Sequence, residues 1–148
     1  MVGELRRAGM RLTPQRLAIV KTFAHDDSHP TAQDLFERLR PDFPSMSFAT
    51  VYKTLDVLAR TGLCGNVRLG NAQRFDPNTS PHHHLVCEAC QKVFDIPTKS
   101  LAPGRAAKKK IARVAPGFSI RSVERVYRGL CPQCSENQEK EKQRWASH

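Results

Sequence analysis

Apolar residues in the first half of the chain recur at the spacing of helices that bury one face. In the segment Phe48–Arg60, the apolar residues Val51, Leu55 and Leu58 recur at helical spacing and form a single stripe. Ser47 stands directly before this segment, and serine is among the most favourable N-cap residues. The pattern predicts a helix with a buried stripe and a polar opposite face.

Two shorter helices are predicted upstream by their first residues. Thr13 precedes Pro14, and proline suits the first helical position because no backbone donor is needed there. Thr31 stands three residues before Asp34, the spacing of a capping box. Pro41 ends the second of these helices, since proline cannot continue a helical hydrogen-bond pattern.

A hairpin is predicted after the third helix. Cys64–Leu69 and Gln73–Asp76 are strand-like, and the turn-forming pair Gly70-Asn71 joins them. Three helices followed by a hairpin are the order of a winged helix-turn-helix. We therefore assign residues 1–76 to a winged-helix DNA-binding domain.

The pattern changes after Asp76, and a second domain is predicted. The polar stretch 77–81 is expected to be a hinge. Residues 82–148 are expected to form a small α/β domain for dimerisation and metal binding, with the last dozen residues disordered. The fold class is therefore α+β. The predicted elements are strands at His84–Val86 and Lys92–Ile96, a helix at Leu101–Val114 and a strand at Phe118–Tyr127.

Composition narrows the classes of function. At 39% hydrophobic residues, the 148-residue chain can bury a core. It contains no run of about 18 apolar residues, so no membrane segment is expected. The N-terminus lacks an apolar signal region, and the expected location is the cytoplasm. The net charge of +10 favours a polyanionic partner, nucleic acid before membrane surface.

Four of the five cysteines form two Cys-x-x-Cys pairs, which suit a tetrahedral zinc site. A reducing compartment favours metal over the alternatives, two disulfides or four free thiols. A closed sulfur site contributes to folding and has no open position for chemistry. Cys64 stands apart and is expected to be a small apolar core residue. The predicted zinc ligands are Cys87, Cys90, Cys131 and Cys134.

A second group of metal-binding side chains combines imidazoles and carboxylates. His82 and His84 are two residues apart on an extended segment and therefore point to the same side, whereas His83 points away. Such donors are harder than thiolates and suit Fe(II) or Mn(II). The alternative is a solvated histidine run with unrelated acids. The candidate ligands are His29, Asp76, His82, His84 and Asp95.

The third predicted helix has the features of a helix that enters a DNA groove. Hydroxyl groups and a lysine can bind phosphates, and a tyrosine can contact a base edge or a thymine methyl group. The alternative is an ordinary amphipathic helix with a solvated polar face. Arg68 and Arg74 on the predicted wing could also bind the DNA backbone. The candidate DNA contacts are Arg11, Arg16, Ser47, Thr50, Tyr52 and Lys53.

Several motifs stand out along the chain: Arg11-Leu-Thr-Pro-Gln-Arg16, His29-Pro-Thr-Ala32, Ser47-Phe-Ala-Thr-Val-Tyr52, Arg74-Phe-Asp76, His82-His-His84 and both cysteine pairs. Together they resemble the ferric uptake regulator family of dimeric metal-dependent repressors, over nearly the whole chain. Within that family the chain is most similar to the peroxide-responsive branch. Asp95 distinguishes the chain from the iron-sensing members of the family, which usually carry glutamate at this position. Pro81 and His83 depart from the usual pattern of the branch.

The resemblance implies a homodimeric repressor of double-stranded operator DNA. It implies structural Zn(II) at the four cysteines and regulatory Fe(II) or Mn(II) at the five His and Asp residues. Hydrogen peroxide is the implied signal, acting through Fe(II)-catalysed oxidation of His29 or His82. The alternative within the family is a repressor that senses iron or manganese levels without peroxide chemistry.

Two other classes of function remain as alternatives. The His and Asp residues could form a hydrolytic or oxygenase centre, since two histidines and one carboxylate leave coordination positions open. No extra acid or base is evident in so short a chain, so no enzymatic activity is expected. A zinc-ribbon-type scaffold that binds no DNA is the other alternative.

Overall fold

The computed structural model describes residues 1–69, 72–98, 113–114, 117 and 125–146. These residues fall into two units, Met1–Thr79 and Ser80–His148. The predicted turn Gly70-Asn71 lies outside the described residues, as do most of the predicted helix at 101–114 and strand at 118–127. Within the described ranges, no helix has the length and apolar character needed to cross a lipid bilayer.

The first unit consists of four helices and a two-stranded antiparallel sheet. The three predicted helices are confirmed, together with their N-caps at Thr13, Thr31 and Ser47. The side chain of each cap accepts a hydrogen bond from the backbone N–H three residues later, which satisfies a donor that the first turn leaves unpaired. The elements are α1 (Val2–Arg7), α2 (Pro14–Ala24), α3 (Ala32–Leu39), α4 (Phe48–Arg60), β1 (Gly65–Leu69) and β2 (Ala72–Asp76).

The core of this unit lies between the helices and β2. The predicted stripe of α4 is fully buried, and Cys64 belongs to the same core, as expected. Helix α1 was not predicted, because Leu5 is its one buried residue. Full burial of a leucine contributes about 2 kcal/mol, and this anchors the short helix against the core. Hairpin β1–β2 follows α4, so the winged-helix order is confirmed.

The second unit is built on a three-stranded sheet. Strand β3 (His82–Cys87) is central, antiparallel to β4 (Val93–Pro97) and parallel to β5 (Val126–Gly129). The parallel register places Cys87 opposite Gly129, so both cysteine pairs lie at the same end of the sheet. A helical first unit and a small sheet in the second confirm the α+β prediction.

The structure describes the predicted disordered tail as helix as far as Ala146. Helix α5 extends over Pro132–Ala146. Its sequence is rich in Glu, Lys and Gln, which favour helices. Glu136 and Lys140 are four residues apart, a spacing at which opposite charges stabilise a helix. The polar residues of this segment form a solvent-exposed helix.

Candidate metal centres and nucleic-acid interface

The four cysteines of the two pairs come together at the end of the sheet in the second unit. Cys87 ends β3, Cys90 lies in the following turn, and Cys131 and Cys134 flank the start of α5. The four sulfur atoms lie within 4.8 Å of one another. Cys90 Sγ and Cys131 Sγ are 3.9 Å apart. Two thiolates on a tetrahedral zinc ion, each about 2.3 Å from the metal, are separated by about 3.8 Å. The four thiols therefore fit a structural zinc ion.

Neighbouring groups shift the pKa values of two of these thiols in opposite directions. Backbone N–H groups of Cys90 and Cys131 lower the pKa of Cys87 to about 6. Hydrogen bonds with the thiols of Cys131 and Cys90 raise the pKa of Cys134 to about 12. Negative charge thus collects on one sulfur while its neighbour keeps its proton. A divalent cation removes this conflict, because it stabilises all four thiolates together.

In the first unit, His29 and Asp76 face each other in a buried place. Their side chains are 1% and 2% exposed, and His29 Nε2 lies 3.7 Å from Asp76 Oδ1. His29 Nδ1 lies 3.0 Å from the carbonyl oxygen of Asp27. A carbonyl only accepts hydrogen bonds, so in this contact Nδ1 carries the proton and Nε2 keeps its lone pair. Nε2 is therefore the nitrogen that can bind a metal.

Backbone contacts explain how two residues so far apart in sequence meet. The loop before α3 runs beside β2, where Thr31 and Arg74 form an isolated antiparallel bridge. The N–H of Phe75 also donates to the carbonyl of Pro30 over 2.9 Å. His29 has a φ of 52°, in the left-handed region that side chains disfavour. This backbone turn accompanies the burial of the imidazole beside the end of β2.

In the second unit, His82, His84 and Asp95 place three donor groups on one side of the sheet. Asp95 of β4 lies directly opposite His84 of β3. The Nε2 atoms of the two histidines are 2.8 Å apart, and Asp95 Oδ1 lies 3.5 Å from the first and 3.8 Å from the second. His82 Nδ1 lies 2.7 Å from the carbonyl of Ser80 and donates to it, which leaves its Nε2 as an acceptor.

These donors suit a transition metal of intermediate hardness. Ligands about 2.1 Å from an octahedral ion are about 3 Å apart, close to the separation of the two Nε2 atoms. The two imidazoles and one carboxylate of the second unit are donors that Fe(II) and Mn(II) accept, and so are the imidazole and the carboxylate of the first unit. His83 alternates to the other side of β3 and is not part of this donor group.

Helix α4 presents the predicted polar face to solvent. Ser47, Tyr52 and Lys53 are exposed, and Ser47 Oγ lies 3.0 Å from Thr50 Oγ1. Sequence reasoning missed Phe48, which is 43% exposed at the first position of the helix. Its ring packs edge-on against Phe36 at 6.0 Å. The signal for Phe48 in the sequence was its position directly after the N-cap Ser47, where an apolar ring is exposed at the start of the helix.

The predicted cationic contacts differ in their surroundings. Arg11 and Arg68 are exposed, and Arg16 is half-buried and donates to the carbonyl of Arg11. The Nη1 of Arg74, a residue that could bind the DNA backbone, donates to the carbonyl of His29 over 3.0 Å. Its side chain is 18% exposed. Arg74 therefore differs from the exposed Arg11 and Arg68 in having its head group bound inside the unit.

Comparisons with known proteins agree with this fold. The family model described as the ferric uptake regulator family matches residues 7–128. The peroxide-responsive repressor PerR of Staphylococcus aureus (strain USA300) is 34% identical over 136 residues, which cover 91% of this chain and 89% of that protein.

Two solved structures have the same fold. The ferric uptake regulator of Francisella tularensis with iron has a TM-score of 0.71 and 22% identity, covering 86% of this chain and 96% of that one. The Campylobacter jejuni peroxide stress regulator has a TM-score of 0.68 and 25% identity, covering 90% of this chain and 98% of that one. The resemblance inferred from the motifs is confirmed, and the chain belongs to the ferric uptake regulator family.

Proposed function

We propose that this chain is a homodimeric, metal-dependent repressor that binds double-stranded operator DNA and responds to hydrogen peroxide. One observation carries the proposal: each unit contains an incomplete set of metal donors. His29 and Asp76 belong to the first unit, and His82, His84 and Asp95 belong to the second. Fe(II) and Mn(II) take about six ligands. Neither set satisfies such an ion alone, so we propose that one ion uses both.

An ion shared in this way controls the orientation of one unit relative to the other. The ion selects the conformer in which all five donors reach it, and the coupling equals its differential affinity for the conformers. Moving a population from mostly open to mostly closed needs about 5.5 kcal/mol of such preference. Metal binding by these donor residues therefore selects the orientation of one unit relative to the other.

The exposed face of α4 supports DNA as the partner. Its N-terminus bears hydroxyl groups and aromatic rings, and Lys53 lies on the same exposed face. Residues near the start of a recognition helix contact base edges in the major groove. Two copies of the helix must also match half-sites one helical turn apart, so the orientation set by the metal decides whether both copies bind.

The sheet of the second unit supports the homodimer. Leu85 and Phe94 are opposite each other on β3 and β4, and they are 44% and 45% exposed. Leu130, just beyond β5, is 40% exposed. These three residues line an apolar cavity of about 330 Å³. A second copy of the chain covering this apolar surface would form a two-fold symmetric interface.

Peroxide as the signal is supported by the 34% identity to a peroxide-responsive repressor. An Fe(II) ion held by these donors would supply the one-electron chemistry that cleaves the peroxide O–O bond, while the two electrons that the peroxide takes up overall would come from the imidazole ring. One peroxide oxygen is added to an imidazole carbon of His29 or His82, and the other leaves as water. The oxidised ring is a poorer ligand, because its ring electrons are drawn toward the new oxygen. The remaining donors then no longer hold the ion, and the protein releases the DNA.

The test uses the zinc-loaded protein and DNA selected from random duplexes in the presence of Mn(II). We expect His29→Ala to keep its zinc and its dimeric state but to lose Mn(II)-dependent DNA binding. His25→Ala is the matched control, because His25 lies outside the donor sets and contacts the carbonyl of Lys21. A His29→Ala protein that still bound DNA only when Mn(II) was added would contradict the shared ion.

The peroxide step is tested separately with the Fe(II) and Mn(II) forms. Dilute peroxide should release DNA from the Fe(II) form alone, and mass spectrometry should find one added oxygen atom on a peptide with His29 or His82. Oxidation of cysteines with loss of zinc, and no oxidised histidine, would argue against it. Release that follows metal removal but not peroxide would favour a sensor of metal level.

A further inference from the structure

We propose that Arg74 is a positioning residue for the metal ligand His29, and that it acts inside the first unit instead of on DNA. This inference rests on the proposed role of His29 as a metal ligand. Arg74 Nη1 donates to the carbonyl oxygen of His29 over 3.0 Å, although the two residues are 45 positions apart. The guanidinium thereby ties the ligand loop to the strand that carries the second ligand, Asp76.

The pleat of β2 explains why this contact matters for the metal donors. Arg74 and Asp76 are two residues apart on β2, so their side chains leave the strand on the same side. The first reaches the carbonyl of His29, and the second lies 3.7 Å from its imidazole. One strand therefore holds His29 at both its backbone and its ring. The separation of the two ligands is fixed by a single face of β2.

The contact also stabilises an unfavourable backbone. His29 has a φ of 52°, which brings its side chain close to its own backbone. Such conformations persist where the surroundings determine them strongly. A charge-assisted hydrogen bond to the carbonyl of His29 is stronger than one from a neutral donor. Arg74 therefore supports the conformation that turns the imidazole toward Asp76.

The guanidinium is itself anchored to the start of α3. Arg74 Nη1 lies 3.9 Å from Asp34 Oδ2. The same carboxylate oxygen accepts from the N–H of Thr31 over 2.8 Å, as part of the capping box. Arg74 thus connects the ligand loop and α3 to β2. The contact with Asp34 restricts the arginine side chain, and the position of His29 is therefore better defined.

The surroundings of Arg74 distinguish it from an arginine that binds phosphate. A phosphate contact needs a head group that reaches solvent, as Arg68 on the same hairpin can, because it is exposed. Arg74 is 18% exposed, and its Nη1 is directed at protein oxygens of His29 and Asp34. The two arginines provide a matched pair for an experiment, with similar chemistry and the same hairpin.

The experiment measures Mn(II) affinity of the zinc-loaded protein by calorimetry, in the absence of DNA. Removal of a residue that orients a metal ligand typically lowers affinity by about 10- to 100-fold, and we expect a loss of this size for Arg74→Met. Arg74→Lys keeps a positively charged donor group, so its Mn(II) affinity should lie between those of the wild type and Arg74→Met. Arg68→Met should bind Mn(II) as the wild type does. Zinc content and melting temperature are recorded for every variant.

His29→Ala separates this inference from the proposed function. If His29→Ala binds Mn(II) as tightly as the wild type, the proposed metal site is wrong. If His29→Ala loses affinity while folded Arg74→Met keeps it, the positioning role is overturned. Arg74→Lys binding as weakly as Arg74→Met would show that a cationic donor at this position does not restore the affinity, and this would overturn the role as well. Should Arg74→Met fail to fold, Arg74→Lys is compared with the wild type alone, and equal affinity overturns the role.

Discussion

Gly65 lies directly opposite Asp76 in the β1–β2 hairpin, and the carboxylate occupies the space beside its backbone. A Cβ at Gly65 would lie 3.4 Å from Asp76 Cβ and 3.5 Å from Asp76 Oδ2. A methyl group makes ordinary contact at these distances, whereas a larger side chain needs room that the carboxylate already fills. The absence of a side chain at Gly65 therefore leaves Asp76 free to face His29.

Gly65→Val is expected to weaken Mn(II) binding about tenfold, because the added methyl groups displace the Asp76 carboxylate. Gly65→Ala should bind Mn(II) nearly as the wild type does. Calorimetric titration of the zinc-loaded proteins measures both. Gly3→Ala serves as the control, because no atom lies within 4 Å of a Cβ placed there. Equal affinity of Gly65→Val and the wild type would show that the carboxylate has space to move.

Zinc affinity is expected to fall as the pH is lowered from about 8 to about 5, because protons compete for the thiolates. In the metal-free protein the pKa of Cys87 is lowered to about 6, so this sulfur loses its negative charge only near the acid end of the range. Release is measured with a colorimetric chelator at each pH. Cys64→Ala is the control, since Cys64 lies outside the sulfur cluster. Zinc retention independent of pH would contradict thiolate ligation.

Asp26→Asn is expected to lower the free energy of unfolding by about 1 kcal/mol at neutral pH. Burial favours a raised pKa for Asp26, but hydrogen bonds from Ser28 and Arg38 outweigh it and lower the pKa. A carboxylate with a lowered folded pKa contributes stability above its unfolded pKa of about 3.9, and this contribution is lost as pH falls through the folded value. The difference in the free energy of unfolding between Asp26→Asn and the wild type should therefore become smaller at acid pH.

Urea unfolding at a series of pH values measures this effect. Asp56→Asn is a suitable control, because Asp56 pairs with Arg60 on an exposed helix face, where ion pairs contribute little. A constant difference between Asp26→Asn and the wild type across the acid range would rule out the ionised carboxylate as its cause.

Phe94→Lys is expected to convert the proposed homodimer into a monomer at micromolar concentrations. A charge on the apolar surface that includes Leu85 would have to be desolvated in the interface. Sedimentation velocity gives the oligomeric state. Leu17→Lys is the matched control, since Leu17 is 41% exposed but belongs to the first unit. An unchanged dimer in Phe94→Lys would place the interface elsewhere.

Local signals in the sequence predicted the elements of the first unit well. The caps at Thr13, Thr31 and Ser47 act within three residues of the chain, so their effect can be recognised without knowledge of the fold. Helix α1 has no such signal, because one buried leucine gives no period. Spacing, which is also a local property, indicated the two cysteine pairs and the pair His82 and His84, whereas the resemblance to the family implied the full set with His29, Asp76 and Asp95.

Contacts between distant residues were beyond this reasoning. The wing position of Arg74 suggested a phosphate contact, because nothing near it in sequence indicates that the carbonyl of His29 lies beside it. The parallel pairing of β3 with β5 is equally non-local, since the two strands are separated by β4 and a long connection. Such pairings depend on the packing of the whole unit, for which a single sequence gives no direct sign.

The sulfur cluster has a topological consequence for the chain between its two halves. Cys90 and Cys131 are 41 residues apart, yet their sulfur atoms lie 3.9 Å from each other. With zinc bound, the intervening polypeptide becomes a closed ring. A protease that cut this ring once would leave two pieces held together by the ion, and a chelator would then let them separate.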